Sequence, residues 1–218
     1  MRKSIFNMVM IVICFSALAG CQSAYYGTLE KVGIHKRDVM VDRVEDARDA
    51  QEDAKEQFQS ALEQFTSVVA VRGGDLEKKY NKLNDTYEEC EEKADAVHKK
   101  ISKVEGVSEA LFDEWEDELE LYSSPRLRED SRNKLNQTRR DYKRLIKAMK
   151  RAEKKIEPVL VAFRDQVLYL KHNLNAQAIS SLKNELVAIE DNVAGLVSEM
   201  ELSIKEAEQF INALRQEG

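Results

Sequence analysis

The chain has 218 residues, 34% of them charged, and its 40 acidic side chains outnumber its 34 Lys and Arg for a formal net charge of −6. An acidic balance argues against binding nucleic acid through the phosphate backbone, which needs a basic surface. Two prolines and eight glycines are too few for a turn-rich β protein, and the abundant Ala, Glu, Lys, Leu, Arg and Gln are strong helix formers.

The N-terminus begins with a basic Met1-Arg2-Lys3 and continues as an uncharged apolar run over residues 5–19, IFNMVMIVICFSALA. A membrane-spanning helix needs about 20 apolar residues, so this run is short. It has the parts of a secretory signal: a basic start, an apolar middle and a small-residue end. Leu18-Ala19-Gly20-Cys21 resembles the lipobox of bacterial lipoproteins. The resemblance implies cleavage between Gly20 and Cys21 and lipidation, palmitate included, at Cys21. The alternatives are an ordinary secretory signal with a chance cysteine, or a retained membrane helix. More than one acyl chain anchors stably where a single chain binds only marginally. Gln22 follows the cysteine; in enteric-type lipoproteins an Asp there retains the protein at the inner membrane. Its absence points, by resemblance, to the periplasmic face of the outer membrane. Cleavage would remove Arg2 and Lys3 and leave the chain two charges more negative.

Residues 21–35 read as a membrane-proximal tether. Tyr25 and Tyr26 lie within five residues of Cys21, where amphipathic rings favour a membrane interface. Lys31, His35, Lys36 and Arg37 form a small basic cluster able to touch anionic headgroups. The plainer reading is a tether followed by the first turn of a helix.

From residue 36 to 218 the chain reads as one elongated helical coiled-coil domain. Apolar positions alternate three and four apart, which puts them on one helix face. The first run is Met40, Val44, Ala47, Gln51, Ala54, Phe58, Ala61, Phe65 and Val68. Gly73-Gly74 interrupts it, and Asp75 suits the N-cap of the next helix. The second run goes from Leu76 through Leu83, Cys90, Val97 and Val104 to Leu111, Trp115 and Tyr122, weakened but not ended by Gly106. Ser123-Ser124-Pro125 supplies a cap and a first-turn proline. The third run, Leu135 to Leu170, contains Pro158, which predicts a kink or restart near Glu157. Asn173 to Asn175 mark a turn. The fourth run, Ile179 to Leu214, is flanked by Val187, Ala194, Val197, Ile204 and Ile211, a stripe wide enough for a bundle interior. The expected fold is all-α: about four long helices in an elongated antiparallel bundle or coiled-coil hairpins, as short turns demand. Whether they form one bundle or two hairpins end to end stays open.

Residues 105–121 carry eight acidic and no basic side chains, whereas 126–144 are rich in Arg and Lys. Folding at Ser123–Pro125 is expected to lay one stretch against the other and set register, since exposed pairs contribute only about 0–1 kcal/mol each. The alternative is two solvated faces that never meet.

Sites for chemistry are sparse. Of the three histidines, His98 follows Asp95 by three and Glu91 by seven residues. This is one Asp-x-x-His, short of the paired Glu-x-x-His sites of di-metal bundles. Gly73-Gly74 lacks the lysine and hydroxyl of a phosphate loop, and no Gly-x-Ser-x-Gly elbow occurs. Cys90 has no partner once Cys14 leaves and Cys21 carries lipid, so a small core residue is its expected role. No catalytic, cofactor or metal site is assigned.

Residues 33–65, GIHKRDVMVDRVEDARDAQEDAKEQFQSALEQF, and 170–190, LKHNLNAQAISSLKNELVAIE, resemble an uncharacterised family of helical lipoproteins from proteobacteria. That likeness implies a long helical fold and an envelope location and brings no activity with it. The expected function is a non-enzymatic, lipid-anchored periplasmic scaffold or adaptor. It would be held to the membrane through Cys21 and would work through an envelope protein partner or self-association. The alternative is a membrane-surface protein that binds or remodels lipid.

Overall fold

A computed structural model describes residues 35–70, 75–173 and 176–216. Four helices account for them: α1 (Lys36–Ala70), α2 (Leu76–Leu119), α3 (Pro125–His172) and α4 (Ala176–Gln216). At 1.5 Å per residue the longest, α3, extends about 72 Å.

The local signals act where the residue chemistry demands. Asp75 Oδ1 accepts from the Lys78 amide at 3.1 Å, and Ser124 Oγ accepts from the Leu127 amide at 3.4 Å with Pro125 in the first turn. Each satisfies an orphan donor of a helix start. Asn173 donates its amide to the Leu170 carbonyl and ends α3; Gly73, Gly74 and Asn175 lie outside the described residues. Helix α2 runs unbroken through Gly106.

Pro158 does not restart α3, which is continuous across it. Both Pro158 and Lys154, whose carbonyl loses its bond to the missing amide, are exposed. Water therefore satisfies the freed carbonyl, and the proline ring stays outside the core.

The four helices close into one bundle. α1 packs on α2 and α4, and α3 packs on the same two. The diagonal pair α1 and α3 meets through side chains across the centre: Phe163 stacks on Phe65 at 4.8 Å and on Phe58 at 6.3 Å between ring centroids. All nine positions of the first sequence run, Met40 to Val68, are buried. In α4 the widened stripe is only partly realised. Ile211 is buried, but Ala194 is exposed and Val187 is 65% exposed, because the neighbouring helices reach only the central rows.

Polar groups interrupt the core at defined levels. Ser203 Oγ donates to Gln51 Oε1 at 2.8 Å with both residues fully buried, while Gln51 Nε2 has no hydrogen-bond partner. Thr86 Oγ1 lies 2.9 Å from Gln64 Oε1, joining α1 to α2.

Candidate functional site

The two ends of the bundle differ. α1 begins with Lys36 paired to Glu114, five residues before α2 ends. On the other side, Arg151 pairs with Glu199 at 3.0 Å and Arg144 approaches Glu206 at 3.9 Å. Carried forward, that register brings Gln216 level with Lys134. Among the described residues the α2–α3 hairpin therefore runs on past α1 and α4. A small core of Phe112, Leu119 and Leu135, flanked by Trp115, Tyr122 and Tyr142, sits at the base of this overhang, where Tyr142 also reaches Phe210 of α4 at 6.5 Å between ring centroids. Phe112 and Tyr142 meet edge to face at 5.5 Å, and the Arg139 guanidinium lies 5.2 Å from the Phe112 ring centre, both favourable geometries for a ring quadrupole.

The overhang is held in shape by polar contacts. Trp115 Nε1 donates to Ser131 Oγ at 2.8 Å. Arg128 Nη2 donates to the Tyr122 carbonyl at 2.7 Å, closing the turn. Its outermost apolar side chains stand exposed: Leu121 is 82% and Leu127 47% exposed. Clefts gather around this end. One of 570 Å³ is lined by Arg37, Trp115, Tyr122 and Leu127. A second, of 430 Å³, lies between Lys36, Glu114 and Leu121, and a third, of 420 Å³, between His35, Arg37 and Leu214.

Of the residues read as membrane-proximal, Gly20, Cys21, Tyr25, Tyr26 and Lys31 lie outside the described residues. His35 is exposed and starts α1, its carbonyl accepting from Asp38 and Val39 at 3.0 and 3.2 Å. Lys36 is buried against Glu114, and Arg37 donates to the Leu214 carbonyl. A cation on the last carbonyls of α4 complements the negative end of its dipole. Lys36 and Arg37 thus fasten the start of α1 to α2 and α4, contacts 78 and 177 residues away that no local pattern reveals.

The acidic and basic stretches do lie side by side, but few of their charges meet. Arg139 pairs with Glu116, and its hydrogen bond holds that carboxyl below the usual carboxylate range. Arg126, Arg132 and Arg144 turn instead to Asp130, Glu129 and Asp141 of their own helix. Register here owes more to the aromatic contacts than to ion pairs.

Several titratable groups elsewhere are engaged. His98 Nδ1 lies 2.6 Å from Glu153 Oε1 of α3, while Asp95 pairs with Lys99 at 3.6 Å and Glu91 accepts from Tyr87 at 2.6 Å. Burial and that Glu91 contact push the Tyr87 phenol up to about 12. Cys90 is fully buried, and burial pushes its thiol up to about 12, which suppresses the nucleophilic thiolate. Among the described residues no three His, Cys, Asp or Glu side chains are placed to hold a metal ion, and no helix is long and apolar enough to cross a membrane. Sequence reasoning missed the overhang. Its signal was Leu121 and Leu127, two apolar residues off the helical stripe beside the turn.

A family described as a protein of unknown function, DUF2959, matches residues 25–214, and the chain belongs to it. No curated protein matches the chain.

Proposed function

We propose that this member of the family is a non-enzymatic, lipid-anchored scaffold or adaptor of the cell envelope, fixed through Cys21 at the periplasmic face of the outer membrane. The observation that carries this reading is the joining of Leu18-Ala19-Gly20-Cys21, behind an uncharged apolar run, to a closed four-helix rod. The rod's interior is filled by side chains such as Phe58, Phe65 and Phe163, so what it offers to another molecule is its outer surface. A rod about 70 Å long tethered at one end suits spacing or bridging.

The test is metabolic labelling with a palmitate analogue, followed by in-cell crosslinking of a C-terminally tagged chain. Label that depends on Cys21 and one reproducible crosslinked partner support an adaptor, whereas self-crosslinks support a homo-oligomeric scaffold. Absence of label, or a monomer with no crosslinked species, overturns the reading.

The alternative, a membrane-surface protein that binds lipid, draws on one observation, the exposed leucines of the overhang, Leu121 and Leu127. It does not draw on the basic cluster, since Lys36 and Arg37 are engaged within the bundle.

A further inference from the structure

We propose that the tip of the α2–α3 overhang, built on Leu121, Tyr122 and Leu127, is a contact site for the bilayer interface that sets the rod's orientation on the membrane; this rests on the lipid anchor at Cys21.

Four observations converge on it. The overhang projects from the end of the bundle where the chain preceding His35 joins, so anchor and tip share one end. From Cys21 to His35 is 14 residues, a reach of up to about 48 Å when extended. The tip stands only about 10 Å beyond the start of α1, taking α2 at 1.5 Å per residue from Glu114 to Leu121. A protein anchored at Cys21 therefore holds this tip within reach of the bilayer, whereas the C-terminal ends of α1 and α3 lie at the distant end of the rod. Second, Leu121 is the most exposed large apolar side chain among the described residues, and Leu127 stands exposed on the same turn.

Third, Tyr122 and the chain's one tryptophan, Trp115, are half-buried and line one cleft with Leu127, amphipathic rings of the kind that membrane interfaces favour. Fourth, the charges nearest the tip lean acidic: Asp117, Glu118, Glu120, Glu129 and Asp130 outnumber Arg126 and Arg128, and Arg126 and Arg128 are engaged with Asp130 and the Tyr122 carbonyl. The contact is therefore apolar in character and owes nothing to attraction by anionic lipid. This distinguishes it from attraction of a basic patch, which would weaken as salt screens it.

The experiment uses the full-length lipidated chain reconstituted into phosphatidylcholine–phosphatidylethanolamine vesicles with brominated acyl chains. Trp115→Phe combined with Leu121→Trp places the reporter at the tip. Trp115→Phe with Leu127→Trp repeats the measurement from the other helix, in case the first substitution perturbs folding. Trp115→Phe with Leu168→Trp places it at the far end. Flotation with the vesicles reports the anchor separately from the tip.

The expected result is flotation, with bromine quenching of either tip tryptophan at least about threefold greater than at the far end and unchanged in about 0.5 M salt. A chain that floats while tip and far-end tryptophans are quenched equally overturns the tip contact and leaves the anchor standing. A tip tryptophan already shielded from aqueous acrylamide before vesicles are added overturns it too, because protein then covers the site. A chain that fails to float overturns anchor and tip together.

Discussion

Removing Ser203 alone from the Gln51–Ser203 pair should cost more than removing both partners. Ser203 Oγ donates to Gln51 Oε1 at 2.8 Å between α1 and α4. Both residues are fully buried, and Gln51 Nε2 is already without a partner. Ser203→Ala leaves both ends of a buried amide unpaired, at a cost of about 1–3 kcal/mol. Gln51→Met keeps the shape and removes the polar group, while the Ser203 hydroxyl can turn to the carbonyl one turn back on its own helix. Its cost is therefore about zero. The double variant removes two buried polar groups together and should equal or exceed the parent, giving a coupling of about 1–3 kcal/mol in magnitude.

Urea unfolding followed by circular dichroism at 222 nm measures each corner of this cycle. In a domain of this size about 1 kcal/mol shifts Tm by roughly 2–4 °C, so Ser203→Ala should melt about 2–12 °C early. If Gln51→Met proves as damaging as Ser203→Ala, the reasoning fails, since the amide must then be satisfied by a group such as a buried water. The physical lesson is one of specificity. A heptad stripe tolerates sliding by a repeat, and a single buried polar pair makes the slid registers costly.

Four further outcomes are expected. Phe163→Ala, which empties the space between Phe58 and Phe65, should cost about 3–5 kcal/mol in urea unfolding; a loss under about 1 kcal/mol would mean the centre is not packed as described. Pro158→Ala restores an amide to the exposed side of α3 and should stabilise by about 1–3 kcal/mol, read as a raised Tm. Cys90, with its thiol pushed up to about 12 by burial, should resist a water-soluble thiol reagent at neutral pH until the bundle unfolds, and labelling at native rates typical of a free thiol would contradict its burial. The hydrogen bond from Lys100 holds the Asp46 carboxyl below its ordinary value of 3.8. Its stabilising effect is thus complete above that value and disappears as pH falls through the lower folded one. The Tm gap between the parent and Asp46→Asn should accordingly narrow progressively as pH is lowered from about 7 to below 3.8, and a gap that does not narrow would assign the effect to something other than the ion pair.

Most of the local structure was legible in the residue order. Spacing along α1 picked out nine positions, and all nine are buried. Asp75 and Ser124-Pro125 marked helix starts that the cap hydrogen bonds realise. Such features depend on neighbours within about one turn, so a linear reading reaches them. Pro158 was legible as a missing amide but not as harmless, because its effect depends on whether that side of α3 meets water or another helix.

The tertiary structure alone decided how the helices combine. A stripe says which face of a helix is apolar and nothing about which helix will cover it. The choice of one closed bundle over two stacked hairpins rests on α1 meeting α4, far apart in sequence. The same distance hid the role of Lys36 and Arg37, read locally as a basic cluster and engaged in space with Glu114 and the Leu214 carbonyl. It also hid the overhang, which exists because helices of 35, 44, 48 and 41 residues cannot end flush at both ends of one rod. Helix formation is governed by short-range periodicity, whereas pairing, register and uneven ends are set by contacts between segments that the chain brings together only on folding.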